Sequence, residues 1–515
     1  MIFGVRLFLV TEFGASIAMA DEWDAIGRRT LAAWESNTLS FSALFSPHNG
    51  DHRIVATRLW EILWFSINGA WDPQLVMLAK AVVYAIAAVI WIHLLTCKLR
   101  RYRFSTAGLL TVLFAFPFGY QNMYWAFQSQ FDFFLLAGAM GWLALSRNRP
   151  VAALVFATAA LFTVGAGPIL AASYLPYFVA AAIAGICSRR KALLLGIFAA
   201  GILALGLALR TPERAAPLGG AASQAKTFVK LMAWPADTLP AYAYRLPESA
   251  YLFPRPVLDF PSREHSWLMR AAAWLQARPW SMIVIDLTLA AVMLLPLALV
   301  LGEAWRSRFR DRETTSLLLL ASFSLMLFAA IAIARSQQIT VSVRYLDLVM
   351  LLGFCSLVAC QILRRRPGMM RRCALLWLVV FVPGYLATMG GTLLKLGHRM
   401  PQHWLTNLQG YFPARDRSSV TDDVAARWPI IERNPSAFVE LLERPDMQPV
   451  LPRSLTAPTH DRPWPARFAY RLGRSGWLAA VAGAIGAMGI AWRQRRGALH
   501  PSPLPGAVEA ALAPA

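Results

Sequence analysis

Three carboxylates crowd into four residues near the start of the chain, at Asp21, Glu22 and Asp24, directly after an apolar stretch. The chain is otherwise poor in acid, with 28 Asp and Glu among 515 residues. Crowded carboxylates at an apolar boundary raise one another's pKa, which suits a general base that works near neutral pH. A solvated cap on the following helix is the alternative interpretation, because the helix dipole favours acidic residues there.

A second polar cluster follows in the same segment, between Ser46 and Arg53. Asp51 is a further candidate for the base, and Arg53 is a candidate to stabilise a leaving phosphate, which carries negative charge. His48 and His52 are candidates to hydrogen-bond an acceptor or a phosphate. Ordinary polar loop histidines are the alternative interpretation for both.

Two short polar loops lie further along the chain. Between residues 120 and 130, four side-chain amides, among them that of Gln128, stand between aromatic residues. This mixture is typical of a surface that binds sugar hydroxyls or a lipid headgroup, and also of an interfacial aromatic belt. Arg335, Arg344 and Tyr345 flank the second loop. The two arginines are candidates to bind a phosphate through charge-assisted hydrogen bonds, or to anchor the membrane edge.

The elements that must position these residues are membrane helices. The chain is 57% hydrophobic with a mean hydropathy of +0.47, and only 15% of its residues are charged, against about 25% in soluble proteins. Long apolar runs recur, and several are apolar on every side, which excludes the alternating strands of a membrane barrel. The sequence predicts an all-α polytopic transmembrane helix bundle of about twelve spans. The predicted spans lie near 2–19, 73–96, 105–120, 131–146, 151–165, 168–187, 192–209, 281–301, 315–334, 346–363, 374–394 and 475–492.

Orientation follows from the basic residues, which cluster after every second predicted span. The positive-inside rule places these clusters in the cytoplasm, together with both termini, and places 20–72, 210–280 and 397–474 outside. The net charge of +22 is then explained by contacts with anionic membrane lipids, and no nucleic-acid partner is expected.

The division of the chain follows the same pattern. We predict a transmembrane core over 1–396 with outer loops 20–72 and 210–280, and an outer, periplasmic subdomain over 397–474. The last transmembrane helix and its basic flank cover 475–498, and the Pro/Ala-rich tail over 499–515 is expected to be disordered. Ala18-Met19-Ala20 resembles a signal-peptidase site, but Glu12 inside the apolar stretch favours an uncleaved first span.

Several short elements stand together in this order: Asp21-Glu22-Trp23 after the first span, His48 to Arg53, Arg58-Leu59, Trp125 to Gln128, and Ser342 to Tyr345. This arrangement resembles the GT-C-type integral membrane glycosyltransferases, in a poorly characterised bacterial branch. Those enzymes carry an acidic residue, often an Asp-Glu pair, after the first span. The sequence departs from the pattern where Gly50-Asp51 replaces a single Glu, and where Val343 interrupts the Arg-Tyr element.

The resemblance implies a multi-pass enzyme of the bacterial inner membrane and cell envelope that uses a polyprenyl-phosphate-linked sugar as donor. The acceptor would be a glycan, a lipid or a protein. It implies Asp21 as base, with Glu22, Asp24 and Asp51 as competitors, and Arg53, Arg335 and Arg344 as phosphate ligands. No cofactor is required, and a divalent metal is left open.

Two rival classes remain at this point. A lipid-linked glycan polymerase or ligase would share the donor and the topology. A transporter or lipid flippase would need ionisable groups inside its spans, and four residues fall in or near predicted spans: Lys80, Asp132, Asp286 and Asp347. Each lies near a predicted outer end, where we expect its charged group to reach the interface by snorkelling.

Overall fold

The computed structural model describes most of the chain, and its helices are bounded as follows. The described residues are 1–19, 21–48, 53–99, 103–209, 219–236, 279–336, 343–364, 368–397, 402, 405–406, 408–409, 435–456 and 463–499. Within these ranges the regular secondary structure is helical, with no strand. The helices are α1 Ile2–Phe13, α2 Trp23–Ala32 (of π type, continued by Ala33–Glu35), α3 Phe41–Leu44, α4 Val55–Asn68, α5 Pro73–Thr96, α6 Arg103–Ala115, α7 Tyr120–Tyr124, α8 Ser129–Ser146, α9 Pro150–Ala160, α10 Gly167–Ile183, α11 Arg189–Ala208, α12 Ala221–Ala233, α13 Pro279–Arg306, α14 Arg312–Arg335, α15 Leu346–Leu363, α16 Met369–Gly397, α17 Pro435–Glu443, α18 Trp464–Arg474 and α19 Gly476–Leu499. Short turns lie at Ala126–Gln128, Val343–Tyr345, Gln448–Val450 and Arg453–Thr456.

The apolar helices match the predicted segments. Within the described residues, six helical stretches are long and apolar enough to cross a membrane: Pro73–Thr96, Arg189–Ala208, Ile283–Arg306, Arg312–Arg335, Val343–Leu363 and Met369–Gly390. Shorter apolar helices cover Arg103–Ala115, Pro150–Ala160, Gly167–Ile183 and Gly476–Gly489. Each of the predicted spans overlaps a helix of the structure. The expectation of a helical membrane protein is met at this level, and the number of twelve spans stays a prediction.

The outward faces of these helices are apolar. On α5 the exposed side chains Val82, Ile86 and Val89 recur at helical spacing, and α16 exposes Leu375, Val379, Val382 and Leu386 in the same way. Soluble proteins rarely expose contiguous apolar surface of this kind. Buried charged side chains, described below, lie on the inner side of the same bundle. An apolar exterior around a polar interior is what a lipid environment requires.

Local signals in the sequence explain where the helices begin. Asp72 caps α5 by accepting a hydrogen bond from Leu75 N at 3.1 Å, and Pro73 occupies the first turn. Asp311 caps α14 through Glu313 N, also at 3.1 Å. Gly69, in the left-handed conformation with φ of 65°, ends α4 and lets the chain turn into α5.

Helix α5 lies at the centre of the part of the bundle that carries the polar residues. It packs against α1, α6 and α8, and α1 in turn packs against α18 and α19. We call the end of the bundle where α5 and α15 begin and α14 ends the outer end, after the predicted topology. A separate apolar cluster forms at this end, where Val439 and Leu442 of α17 join Trp23 and Ile26 of α2 and Trp71. Described parts of the predicted outer subdomain therefore pack onto the first outer loop, while the predicted boundaries stay predictions.

Candidate outer acidic site

The structure brings Asp21 and His48 together, although 27 residues separate them in the chain. Asp21 lies just before α2, and its side chain is 49% exposed. Its Oδ2 is 3.4 Å from Nε2 of the buried His48, whose ring stands edge-on to Phe127 at 5.1 Å between ring centroids. The Asp21 carboxylate is thus half-exposed beside a buried histidine. Asp51 and His52 lie outside the described residues.

Two arginines fix the segment that carries His48. Arg58 of α4 is buried, and its Nη1 donates to the carbonyls of Ala43, Leu44 and Ser46 at 2.9, 2.7 and 2.8 Å. Arg53 donates to the carbonyl of Phe45 at 2.6 Å and to that of Leu209 at 2.8 Å, which ties the loop to the end of α11. Both guanidinium groups contact backbone oxygens here, so the structure places Arg53 in a positioning arrangement, and its predicted role as a phosphate ligand stays untested.

Glu22 adjoins Asp21 in the chain but occupies the opposite environment. Its side chain is fully buried, and its Oε2 accepts a hydrogen bond from Met19 N at 3.1 Å. Burial raises the pKa of Glu22 to about 8, although the hydrogen bond from Met19 and the charge of Lys80 act in the lowering direction. A carboxyl in this position holds the turn that presents Asp21.

Glu61 is a second buried carboxyl next to Glu22, and sequence reasoning did not select it. It lies on the inward face of the amphipathic helix α4, one turn after Arg58. Burial and the neighbouring charge of Glu22 raise the pKa of Glu61 well above its ordinary range, against hydrogen bonding to Trp71 and the charge of Lys80. The signal in the sequence was a charged residue at an apolar-face position of α4.

Lys80 places a positive charge inside the bundle, at the level of these carboxyls. It is buried in α5, and its Nζ donates to the carbonyl oxygens of Asn122 and of Trp125, the latter at 2.5 Å. Glu22, Glu61 and Asp132 are the acidic groups whose charges act on it. The expectation that Lys80 and Asp132 reach the interface was wrong, because both side chains are buried, and the segment around residues 119–128 covers Lys80.

Asp347 completes the polar interior from the side of α15. It is fully buried and accepts hydrogen bonds from Gly119 N at 3.2 Å and from Asn122 Nδ2 at 2.9 Å. Arg6 of α1 lies 3.6 Å from its Oδ1, and the Arg6 guanidinium also stacks over the Tyr84 ring, 3.7 Å from the centroid. Asp347, like Asp286, is buried, so the expected snorkelling is wrong for both.

Arg335, Arg344 and Tyr345 meet on the other side of the same segment. Arg335 Nε donates to the Tyr345 hydroxyl at 2.9 Å, and the guanidinium carbons of Arg335 and Arg344 lie 5.6 and 5.9 Å from the Tyr345 ring centroid. The Arg344 carbonyl accepts a hydrogen bond from Asn122 Nδ2 at 2.7 Å. The structure therefore brings these three residues, predicted only to flank one loop, together around one ring, and what they bind stays a prediction.

One helical segment connects the acidic and basic halves. Phe127 contacts His48, and Phe131 stands edge-on to Tyr345 at 5.4 Å between ring centroids. The two phenylalanines are four residues apart in adjoining helical turns, a rise of about 6 Å. The Asp21–His48 pair and the Arg335, Arg344 and Tyr345 cluster thus contact the same short segment, at Phe127 and at Phe131 respectively.

The remaining candidates are engaged elsewhere. Asp24 binds two arginines of its own helix: Arg28 Nε donates to it at 2.6 Å and Arg29 Nη2 lies 2.7 Å away. Gln128 is fully buried, and its Oε1 accepts from Gln130 Nε2 at 3.3 Å. Their predicted contacts with substrate stay predictions.

The residues do not fit a metal site in the part of the chain that the structure describes. No group of three or more His, Cys, Asp or Glu side chains converges there in an arrangement able to hold a metal ion. The Asp21–His48 pair offers two such groups, and Glu22 is turned inward.

Comparisons with known proteins add no relative. No family model, no curated protein and no solved structure matches the chain.

Proposed function

We propose that this protein is a membrane glycosyltransferase of the GT-C type, which moves a sugar from a polyprenyl-phosphate-linked donor to an acceptor hydroxyl. The observation that carries the proposal is the half-exposed Asp21 carboxylate beside His48, linked through Phe127 and Phe131 to the cluster of Arg335, Arg344 and Tyr345. A half-exposed carboxylate and a cluster of arginines on one segment are the two kinds of group that such a transfer needs. The lipid donor accounts for a site at the outer end of a membrane bundle.

The reaction assigns one role to each half. The acceptor oxygen attacks the anomeric carbon while the bond from that carbon to the phosphate oxygen breaks, through an oxocarbenium-like state. Asp21 takes the acceptor proton as general base, and the polyprenyl phosphate leaves with its negative charge beside Arg335 and Arg344. Asp21 is preferred over Glu22 because Glu22 is buried, and over Asp24 because two arginines neutralise Asp24.

The proposal includes the full topology. About twelve spans cross the bacterial inner membrane, both termini lie in the cytoplasm, and the site faces outward. The donor then reaches the site along the outer leaflet, and the acceptor reaches it from outside. Membrane lipids surround the apolar exterior.

A second candidate function is favoured by the buried charges. Among the described residues, six acidic side chains are buried against four basic ones: Glu22, Glu61, Asp72, Asp132, Asp286 and Asp347 against Arg6, Arg58, Lys80 and Lys230. An interior with two more acidic than basic groups has to hold protons or a bound cation to be neutral, which is a property of proton-coupled transporters and flippases.

Lipid analysis of cells that lack the protein separates these functions. We expect a polyprenyl-phosphate monosaccharide to accumulate, because the transfer that consumes it is missing. A long lipid-linked glycan would instead indicate a polymerase, ligase or flippase, and an unchanged lipid-linked pool would contradict the enzyme. In a purified transfer assay, the double variant Arg335→Gln/Arg344→Gln should lower donor use.

A further inference from the structure

Helix α18 exposes two different rows of side chains side by side. Trp464, Phe468 and Leu472 form an apolar row and are 68, 55 and 42% exposed. Trp464 and Phe468 stack at 5.6 Å between ring centroids with an interplanar angle of 18°. The opposite side is buried: Ala466 and Gly473 face the protein, and a side chain at Gly473 would collide with Thr11 of α1.

The second exposed row consists of arginines. Arg467, Arg471 and Arg474 follow the i, i+4, i+7 spacing of one helix face and are all exposed. At 100° per residue, this row is turned about 90° from the apolar row. The sequence of α18 contains no acidic residue, and none of the three arginines forms an ion pair with a residue in the described ranges.

The position of α18 explains why it has a buried side, an apolar row and a basic row. Tyr470 donates its hydroxyl to Asp72 Oδ1 at 3.2 Å, which pins the helix to the start of α5, and α19 begins at Gly476, two residues after α18 ends. A helix at this level meets protein on one side, acyl chains on the second and headgroups on the third. Amphipathic helices with adjacent apolar and basic faces lie in the interface in this way.

We propose that Arg467, Arg471 and Arg474 form a binding site for the phosphate groups of anionic phospholipids. The row lies on the predicted outer side, where basic residues are disfavoured, so its three charges call for a negative partner. The apolar row beside it sets the depth of the helix and leaves the arginines at the height of the headgroup phosphates. A phospholipid satisfies both rows at once, whereas free phosphate would satisfy only the arginines. This inference does not depend on the proposed enzyme activity.

Local quenching by lipid tests the site in the full chain. A bimane fluorophore is attached at Ser475→Cys, an exposed position next to the row, after the five native cysteines are replaced. The protein is reconstituted in bilayers in which either phosphatidylglycerol or phosphatidylcholine carries the brominated chains. We expect phosphatidylglycerol to quench more than its bulk fraction predicts. At about 1 kcal/mol per arginine near the surface, three arginines give an enrichment on the order of 100-fold in relative affinity.

The variant Arg467→Gln/Arg471→Gln/Arg474→Gln should remove this preference and raise quenching by phosphatidylcholine to the level of its bulk fraction, which shows that the helix still lies in the membrane. The matched control Arg189→Gln/Arg190→Gln/Lys191→Gln removes the same charge from a distant exposed cluster and should keep the preference. Equal quenching by both lipids in the wild type would overturn the proposal. Loss of the preference in millimolar inorganic phosphate would overturn the lipid as the ligand and assign the row to free phosphate.

Discussion

Asp21 and Glu22 are neighbours in the chain and opposites in the structure. The Asp21 side chain is 49% exposed and lies beside His48, whereas that of Glu22 is fully buried and hydrogen-bonded to the backbone. One residue of difference in the sequence therefore separates a carboxyl in contact with solvent from one enclosed by protein. The comparison teaches that two adjacent acidic residues can occupy opposite environments, which leaves only one of them at the surface.

The buried member belongs to a larger structural unit. Glu22, Glu61 and Lys80 lie under the segment that carries Phe127, and Lys80 holds that segment through the carbonyls of Asn122 and Trp125. Because an unsatisfied buried polar group is costly, this unit is sensitive to loss of the Lys80 ammonium group. Asp21, by contrast, is half-exposed, so its substitution carries little desolvation cost.

Loss of the exposed carboxylate is expected to give the largest effect. In the reaction proposed above, Asp21→Asn removes the general base and should lower turnover by about 10²–10⁴, with donor binding and thermal stability near those of the wild type. The measurement is sugar transfer by the purified protein in lipid. Asp51→Asn serves as the control. Wild-type turnover in Asp21→Asn would contradict the assignment, and an equal loss in Asp51→Asn alone would move the base to that residue.

Loss of the buried cation should show the opposite profile. Lys80→Met preserves most of the side-chain length but leaves the carbonyls of Asn122 and Trp125 without their buried donor, which typically costs about 1–3 kcal/mol for each unsatisfied group. We expect a lower thermal midpoint for the purified protein. The control is Lys98→Met. Lys98 is exposed and follows the other end of α5, so its loss should change stability by only about 0.5 kcal/mol. If both variants unfold alike, the buried unit does not depend on the Lys80 charge and the contrast between the two regions fails.

The parts that the sequence predicted are those set by local composition. Every predicted span overlaps a helix because a long apolar run leaves the backbone no alternative in lipid. The structure also brings together residues that the sequence analysis had chosen for their side-chain chemistry. Asp21 contacts His48, and Arg335 and Arg344 lie around Tyr345. Asp51 and His52 fall outside the described residues, so their selection stays a prediction.

The environment of the buried charged residues could not be predicted from the sequence, because it depends on which helices pack together. Lys80, Asp132 and Asp347 were expected to reach the interface from the span ends, but all three are buried, and the segment 119–128 binds Lys80 and Asp347. Glu61 becomes a partner of Glu22 only because α4 lies with its polar residues Arg58 and Glu61 inward. Hydropathy along one helix contains no information about the loop that covers its end, so this network could not be predicted from periodicity.

The smallest expected effect is a change in how stability depends on pH, and it tests the buried side of the comparison directly. Because burial raises the pKa of Glu22 to about 8, the folded protein keeps a proton that the unfolded chain, with an ordinary carboxyl pKa near 4.5, releases. Stability from this group is fully present below pH 4.5 and is lost as the pH rises toward 8.

Glu22→Gln cannot titrate, yet its amide oxygen still accepts the Met19 N–H. The stability of the wild type relative to Glu22→Gln should therefore fall between pH 5 and pH 8 and stay constant above that range. Thermal midpoints of both proteins at several pH values measure the difference, which we expect to be on the order of a few degrees. A difference that stays flat from pH 5 to pH 8 would show that Glu22 is ionised in the folded state, and would remove the distinction drawn between it and Asp21.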